Sequence, residues 1–191
     1  MEMVSKSVVR QVLMVLLLVL AIGCKKEDDI AVAFIGDSIT ERWDLQAAFP
    51  SFLTHNYGLS GAGISHVKSL AHKMKGKQVV ILIGTNDNHN WDVDYVDTYA
   101  EAVINLNALD VTIVSILPRK AKGDRVSINV DIKSVNMALK TMAAEYGWKY
   151  VDAFPLFLKD DTINLNCYTD GLHLSAHGYE ILGYEIRRVL R

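Results

Sequence analysis

The sequence predicts a three-layer α/β/α protein, a five-stranded parallel sheet held between two layers of helices. Three observations lead there. Five short apolar stretches recur between residues 30 and 152, one of them an unbroken β-branched and leucine run, Val79–Ile83, of the kind buried on both faces of a sheet. Stretches with helical spacing fill the gaps between them. Polar or glycine clusters follow four of the five strands, where a parallel sheet gathers its ligand-binding loops.

Half of the 191 residues are apolar, enough for one real core. A net charge of −2 gives no electrostatic case for nucleic acid. No repeat, low-complexity tract or Pro/Gly linker divides the chain.

Taken in order, the first segment is a leader. Lys6 and Arg10 precede the apolar run Val12–Ile22, which is too short for a bilayer span of ~20 residues. Basic residues ahead of a short apolar run predict an export signal over residues 1–23. It ends Leu20-Ala21-Ile22-Gly23-Cys24, which resembles the lipobox of bacterial lipoproteins, with Ala21 where leucine is usual. That resemblance implies cleavage before Cys24, acylation of Cys24 and a lipid anchor in the cell envelope, at the outer membrane. Residues 24–29 become a charged tether, whose acidic end resembles a surface-export signal. The competing reading is an ordinary secretory signal with an incidental cysteine. If Cys24 is acylated, Cys167 is an unpaired buried or loop residue.

The domain then spans residues 30–191. Ile30–Ile35 is the first expected strand, His55–Leu59 a weaker second, Val79–Ile83 the third, Val111–Leu117 the fourth and Tyr150–Asp152 the fifth. Helical faces are drawn by Val96, Tyr99, Val103 and Leu106, then by Ile128, Ile132, Val135, Leu139 and Met142, then by Tyr179, Leu182, Ile186 and Val189. Gly147 lies where a helix would stop. Five strands suit a flavodoxin-like order, 2-1-3-4-5, which periodicity alone leaves open.

Chemistry gathers after the strands. Gly36-Asp37-Ser38 follows the first, Ser60-Gly61-Ala62-Gly63 the second, Gly84-Thr85-Asn86-Asp87 the third, and Asp170-Gly171-Leu172-His173 lies beyond the fifth. Ser38, at the start of a helix, reads as a nucleophile beside free backbone N–H groups or as part of a helix cap. Asn86 and Asp87, directly after the third strand, suit an Asx-turn. His173 suits a base or a hydrogen-bonded loop histidine, and the His173/His177 spacing is also compatible with zinc on a helix. Acyl transfer by serine needs a base, an acid to orient it and oxyanion donors, and each cluster offers one of these parts.

Four such blocks in this order resemble the SGNH, or GDSL, hydrolase superfamily: Gly36-Asp37-Ser38-Ile39-Thr40, Gly58-Leu59-Ser60-Gly61, Gly84-Thr85-Asn86-Asp87 and Asp170-Gly171-Leu172-His173. The resemblance covers residue 30 to the C-terminus and implies the SGNH hydrolase fold. It further implies that Ser38 is the nucleophile, His173 the base and Asp170 its orienting acid. It implies an oxyanion hole of the Ser38 and Gly61 backbone N–H groups and the Asn86 amide. Asp37 and Asp87 are then residues that fix the loops, and no metal or organic cofactor is called for.

Trp43, Trp91 and Arg119 border the expected site. The tryptophans suit stacking on a sugar or plain packing, and Arg119 suits an anionic group or a solvated turn. The expected activity is hydrolysis of a short-acyl ester, foremost an O-acetyl group on carbohydrate. A lysophospholipase or thioesterase on the same scaffold is the runner-up, and a non-catalytic glycan-binding lipoprotein the alternative from another class. The sequence leaves the acyl group, the alcohol, the membrane leaflet and the oligomeric state open.

Overall fold

The computed structural model describes residues 31–88, 91, 94–121 and 128–190. The expected leader and tether, with Cys24, lie outside the described residues, as do His89 and residues 122–127 of the basic loop. Five parallel strands form the sheet: β1 (Val32–Gly36), β2 (Thr54–Gly58), β3 (Gln78–Leu82), β4 (Asp110–Val114) and β5 (Lys149–Val151). Their order is β2-β1-β3-β4-β5, the order expected for five strands of this kind.

The central strands β1 and β3 are apolar apart from the buried Gln78 at the start of β3, because both of their faces are covered. On β1, Ala33 and Ile35 point to one layer and Val32 and Phe34 to the other; on β3, Val79 and Ile81 oppose Val80 and Leu82 in the same way. The first layer is α3 (Ile64–Ser69), α4 (Tyr95–Ile104) and α5 (Ile128–Glu145). The second is built from α1 (Ser38–Glu41), α2 (Leu45–Ala48) and α6 (Ala176–Arg187). Ile132, Leu139, Leu182 and Ile186 carry the predicted helical faces and are fully buried, each side chain contributing about 1.5–3 kcal/mol by leaving water.

Helix α5 ends as expected at Gly147, whose φ is +68°. Gly147 N–H donates to Ala144 O at 3.2 Å and Trp148 N–H to Ala143 O at 2.8 Å, the paired bonds of a Schellman cap.

The fourth strand is shorter than the expected Val111–Leu117. Beyond Val114 the side chain of Asn136 takes over the ladder's partners: Ile116 N–H donates to its Oδ1 at 2.8 Å and its Nδ2 donates to Ile116 O at 2.9 Å. The apolar run therefore stays buried after it leaves the sheet. A helix is expected to start at Ser38, where α1 begins; the short helices α2 and α3 were not separately expected. Nor were the 3-10 turns Phe154–Phe157 and Leu165–Cys167, or the small antiparallel pair β6 (Leu158–Lys159) and β7 (Thr162–Ile163).

Candidate active site

Strand β1 delivers the first functional segment to the carboxyl edge of the sheet. Gly36 is required there by close approach, because a β-carbon on it would lie 2.5 Å from Leu82 O. Asp37 then caps α1, its Oδ1 accepting the Ile39 N–H at 2.8 Å. Since Asp37 does the capping, the hydroxyl of Ser38 is available for another partner. Ser38 is the first helical residue, so its own N–H precedes the intrahelical ladder. The hydroxyl of Tyr179, on α6, donates to Ile39 O at 2.7 Å and holds this turn against the C-terminal helix.

The fourth expected segment arrives from the other end of the chain. Residues 167–175 double back on themselves: Tyr168 and Leu174 form an isolated antiparallel bridge, Ser175 N–H donates to Cys167 O at 2.9 Å, and Thr169 N–H to His173 O at 2.8 Å. Ser175 caps α6 by accepting the Gly178 N–H at 3.2 Å. Cys167 is buried and forms no disulfide among the described residues. Lys120 N–H donates to Gly171 O at 2.7 Å, tying the loop to the segment after β4.

The fold thus brings together three predicted residues. Ser38 Oγ lies 3.0 Å from His173 Nε2, and His173 Nδ1 lies 2.7 Å from Asp170 Oδ2. The other carboxylate oxygen, Oδ1, accepts the N–H groups of Leu172 at 2.9 Å and His173 at 2.8 Å. The side-chain bond to His173, then these two backbone bonds, hold the Asp170 carboxyl well below the usual carboxylate range. With Ser38 and Asp170 on its two nitrogens, His173 does not share a site with His177, which faces Glu180 at 3.7 Å instead.

The two remaining loops are stitched to one another beside Ser38. Leu59 N–H donates to Gly36 O at 3.0 Å and Ala62 N–H to Leu59 O at 3.0 Å, closing a turn in which Gly61 takes a φ of +75°. Asn86 Nδ2 donates one hydrogen to Ala62 O at 2.9 Å. A carboxamide carries two, so the second remains. Asp87 Oδ2 accepts the Ile64 N–H at 2.9 Å and the Tyr95 hydroxyl at 3.1 Å. Its Oδ1 fills the space that a β-carbon on Gly63 would need.

Asp37 is 1% exposed. Burial pushes its carboxyl up to about 6, against the opposing pull of the Ile39 N–H and of His173. Burial also raises Asp87.

Trp43 does not border the site. It is 6% exposed and packs between Phe34, Phe49 and Tyr179, with ring centroids 5.9, 5.4 and 5.3 Å away. The turn after α1 directs it inward to the second core, so its stacking role is withdrawn. Trp91 is half-buried against the first core. Arg119 comes close to the site: it lines a cavity of about 10 Å³ together with Asp37, Thr85 and Leu172. Its backbone N–H and C=O are both held by Asn129, at 2.9 Å each. Tyr95 is not singled out by the sequence and Tyr179 only as part of a helical face, and nothing in their spacing marks the partners they reach.

A five-stranded parallel sheet with these loops at one edge is the architecture of ester hydrolases of the SGNH type. The sequence profile of the GDSL-like lipase/acylhydrolase family matches residues 34–181, and the chain belongs to that family of carboxylic ester hydrolases. Over 59 residues it is 41% identical to a GDSL esterase/lipase of Arabidopsis thaliana, a match spanning 31% of this chain and 23% of that protein's length. Solved structures share the fold at lower identity. One, described provisionally as a platelet activating factor from Streptococcus pneumonia, is 24% identical with a TM-score of 0.73, covering 98% of this chain and all of that one (100%). A catalytic mutant of an acetylxylan esterase from Geobacillus stearothermophilus is 20% identical with a TM-score of 0.69, covering 86% of this chain and 95% of that one.

Proposed function

We propose that the protein is an exported, lipid-anchored serine esterase that removes acetyl or other short acyl groups from carbohydrate. The observation that carries the reaction is the continuous relay from Ser38 Oγ through both ring nitrogens of His173 to Asp170. In this reading His173 Nε2 accepts the Ser38 proton as Oγ attacks the ester carbonyl. Asp170 keeps the other proton on Nδ1 and stabilises the imidazolium that forms. His173 then protonates the departing alcohol, leaving an acyl group on Ser38. Water, deprotonated by the same imidazole, releases the acid and restores the serine.

The negative oxygen of each tetrahedral intermediate needs donors already in place. The Ser38 N–H, the Gly61 N–H and the second Asn86 hydrogen take that role in this mechanism. The hydrogen bond from Asn86 to Ala62 O supports it, because it fixes the amide against the Gly61 turn.

The acetyl-carbohydrate assignment is supported by the fold shared with an acetylxylan esterase and by a sequence that carries no long apolar insertion for an acyl tail. The anchor is supported by the leader over residues 1–23 and by Cys24 at its end, with 24–29 as tether. The ester specificity is tested by a chain-length series of p-nitrophenyl esters together with acetate release from acetylated xylan and pectin. The proposal expects the highest rates at two to four carbons and measurable acetate release. An optimum at eight carbons or longer, with no acetate released, would favour the lysophospholipase or thioesterase reading.

A further inference from the structure

The edge of the sheet opposite the active site carries a surface that the esterase reaction does not use. All five strands are parallel, so the residues preceding them share that edge. Backbone bonds set four of them side by side: Val32 N–H donates to Leu53 O at 2.9 Å, Gln78 N–H to Ala31 O at 3.1 Å, and Leu109 N–H to Lys77 O at 2.8 Å. Lys75 pairs with Ala108 in the next rung. Leu53 and Leu109 are 54% and 63% exposed, and Lys73 and Lys75 are exposed beside them.

The lysines have a local structural role, which must be weighed first. Lys73 Nζ donates to Ser69 O at 3.0 Å and Lys77 Nζ to Lys73 O at 3.2 Å, satisfying carbonyls at and just beyond the end of α3. Each ammonium has two further hydrogens for an external acceptor. At this edge Asp110 is already paired with Lys149, while Glu101 and Glu145 lie at the ends of α4 and α5. Local capping accounts for Lys73 and Lys77 but not for two leucines exposed among them.

The tether enters at the same place. Ala31 sits between Leu53 and Lys77, and Cys24 is seven residues before it, which limits the separation to at most ~25 Å when fully extended. The active-site loops lie at the far end of strands about 17 Å long. If Cys24 carries a lipid, the leucine–lysine edge is therefore the part of the domain to which the anchored chain is joined.

We propose that Leu53, Leu109, Lys73, Lys75 and Lys77 form a face that docks on an anionic lipid surface and points the active site away from the membrane. The leucines enter the headgroup region and the ammoniums meet lipid phosphates, each lysine strengthening attraction at short range. This rests on the lipid anchor proposed above, and it assigns the esterase to substrates outside its own bilayer rather than to the lipids beneath it.

The test uses the full chain, expressed with its lipid and reconstituted in vesicles of phosphatidylethanolamine with either phosphatidylglycerol or phosphatidylcholine. A photoreactive phenylalanine analogue replaces Leu109, or Leu59 at the active-site edge as the control. Docking predicts lipid adducts at position 109 at least tenfold above those at position 59 in the anionic vesicles. The triple variant Lys73→Glu, Lys75→Glu, Lys77→Glu should lower them several-fold while leaving hydrolysis of a soluble ester unchanged. Equal labelling at both positions, insensitivity to charge reversal, or crosslinks from position 109 to a second protein copy instead of lipid would overturn it. Mass analysis of the N-terminal peptide tests the anchor separately. If it shows no acyl chain, sedimentation of the same protein with the two vesicle types decides: preference for the anionic ones supports the face, and equal or absent binding rejects it.

Discussion

Tyr95 donates a 3.1 Å hydrogen bond to Asp87 Oδ2, the same oxygen that receives the Ile64 N–H at 2.9 Å. One buried carboxylate thus joins the loop after β3 to the start of α3, immediately behind Gly61 and Asn86. Tyr95→Phe removes one of its donors while keeping the ring. The variant should lose about 1 kcal/mol of stability, and kcat should fall about fivefold with KM little changed, a barrier increase of ~1 kcal/mol. Steady-state kinetics with a thermal melt check both; a raised KM at constant kcat would assign Tyr95 to substrate binding instead.

Asn86→Ala should be more damaging to rate than to folding. Removing one oxyanion donor costs about 2.7–4 kcal/mol of transition-state stabilisation, a loss of ~10²–10³ in kcat. Asn86 is exposed, so its bond to Ala62 O adds little to stability. Comparing kcat with the melting temperature separates the two contributions.

Much of this was legible in the sequence. The β-branched run at 79–83 identified a central strand because a strand covered on both sides is built mainly from apolar residues. Ser38, Gly61, Asn86, Asp170 and His173 could be placed on one rim because a parallel sheet puts every strand-to-helix loop there. What was not legible depends on contacts between distant segments. Helix α2 is four residues long, too short to show periodicity. The inward turn of Trp43 depends on Tyr179 and Phe49, which local spacing does not reveal. The shortening of β4 is decided by Asn136, a polar residue on the buried side of α5.

Asp37 gives a stability signature in pH. Burial pushes its carboxyl up to about 6 in the folded protein, from an ordinary value of 3.8. The folded state therefore holds this proton more tightly, so its contribution is fully present below pH ~4 and is lost as the pH rises through ~6. Asp37→Asn keeps a capping oxygen and should flatten that loss, raising stability at pH 8 by up to ~3 kcal/mol relative to the parent. Chemical denaturation at pH 4, 6 and 8 measures it; parallel pH profiles for the two proteins would refute the assignment.

Asp170 is shifted in the opposite direction, by its bonds to His173. Its stabilising contribution is present above the unfolded carboxylate pKa of ~3.9 and is lost as the pH falls toward the lower folded value. Asp170→Asn should cut kcat by about 10³–10⁴-fold, because an amide that donates to Nδ1 selects the wrong imidazole tautomer. Crystallography of the variant with His173 still 3.0 Å from Ser38 would show that the proton, not the position, had been lost.

The most direct test is the site of covalent capture by a fluorophosphonate probe, read by peptide mass mapping in the parent protein and in His173→Ala. Activation of the Ser38 hydroxyl by the imidazole predicts a single labelled peptide, the one containing residue 38, and near-complete loss of label when the ring is removed. Labelling at another residue, or labelling of Ser38 at an undiminished rate without His173, would contradict it.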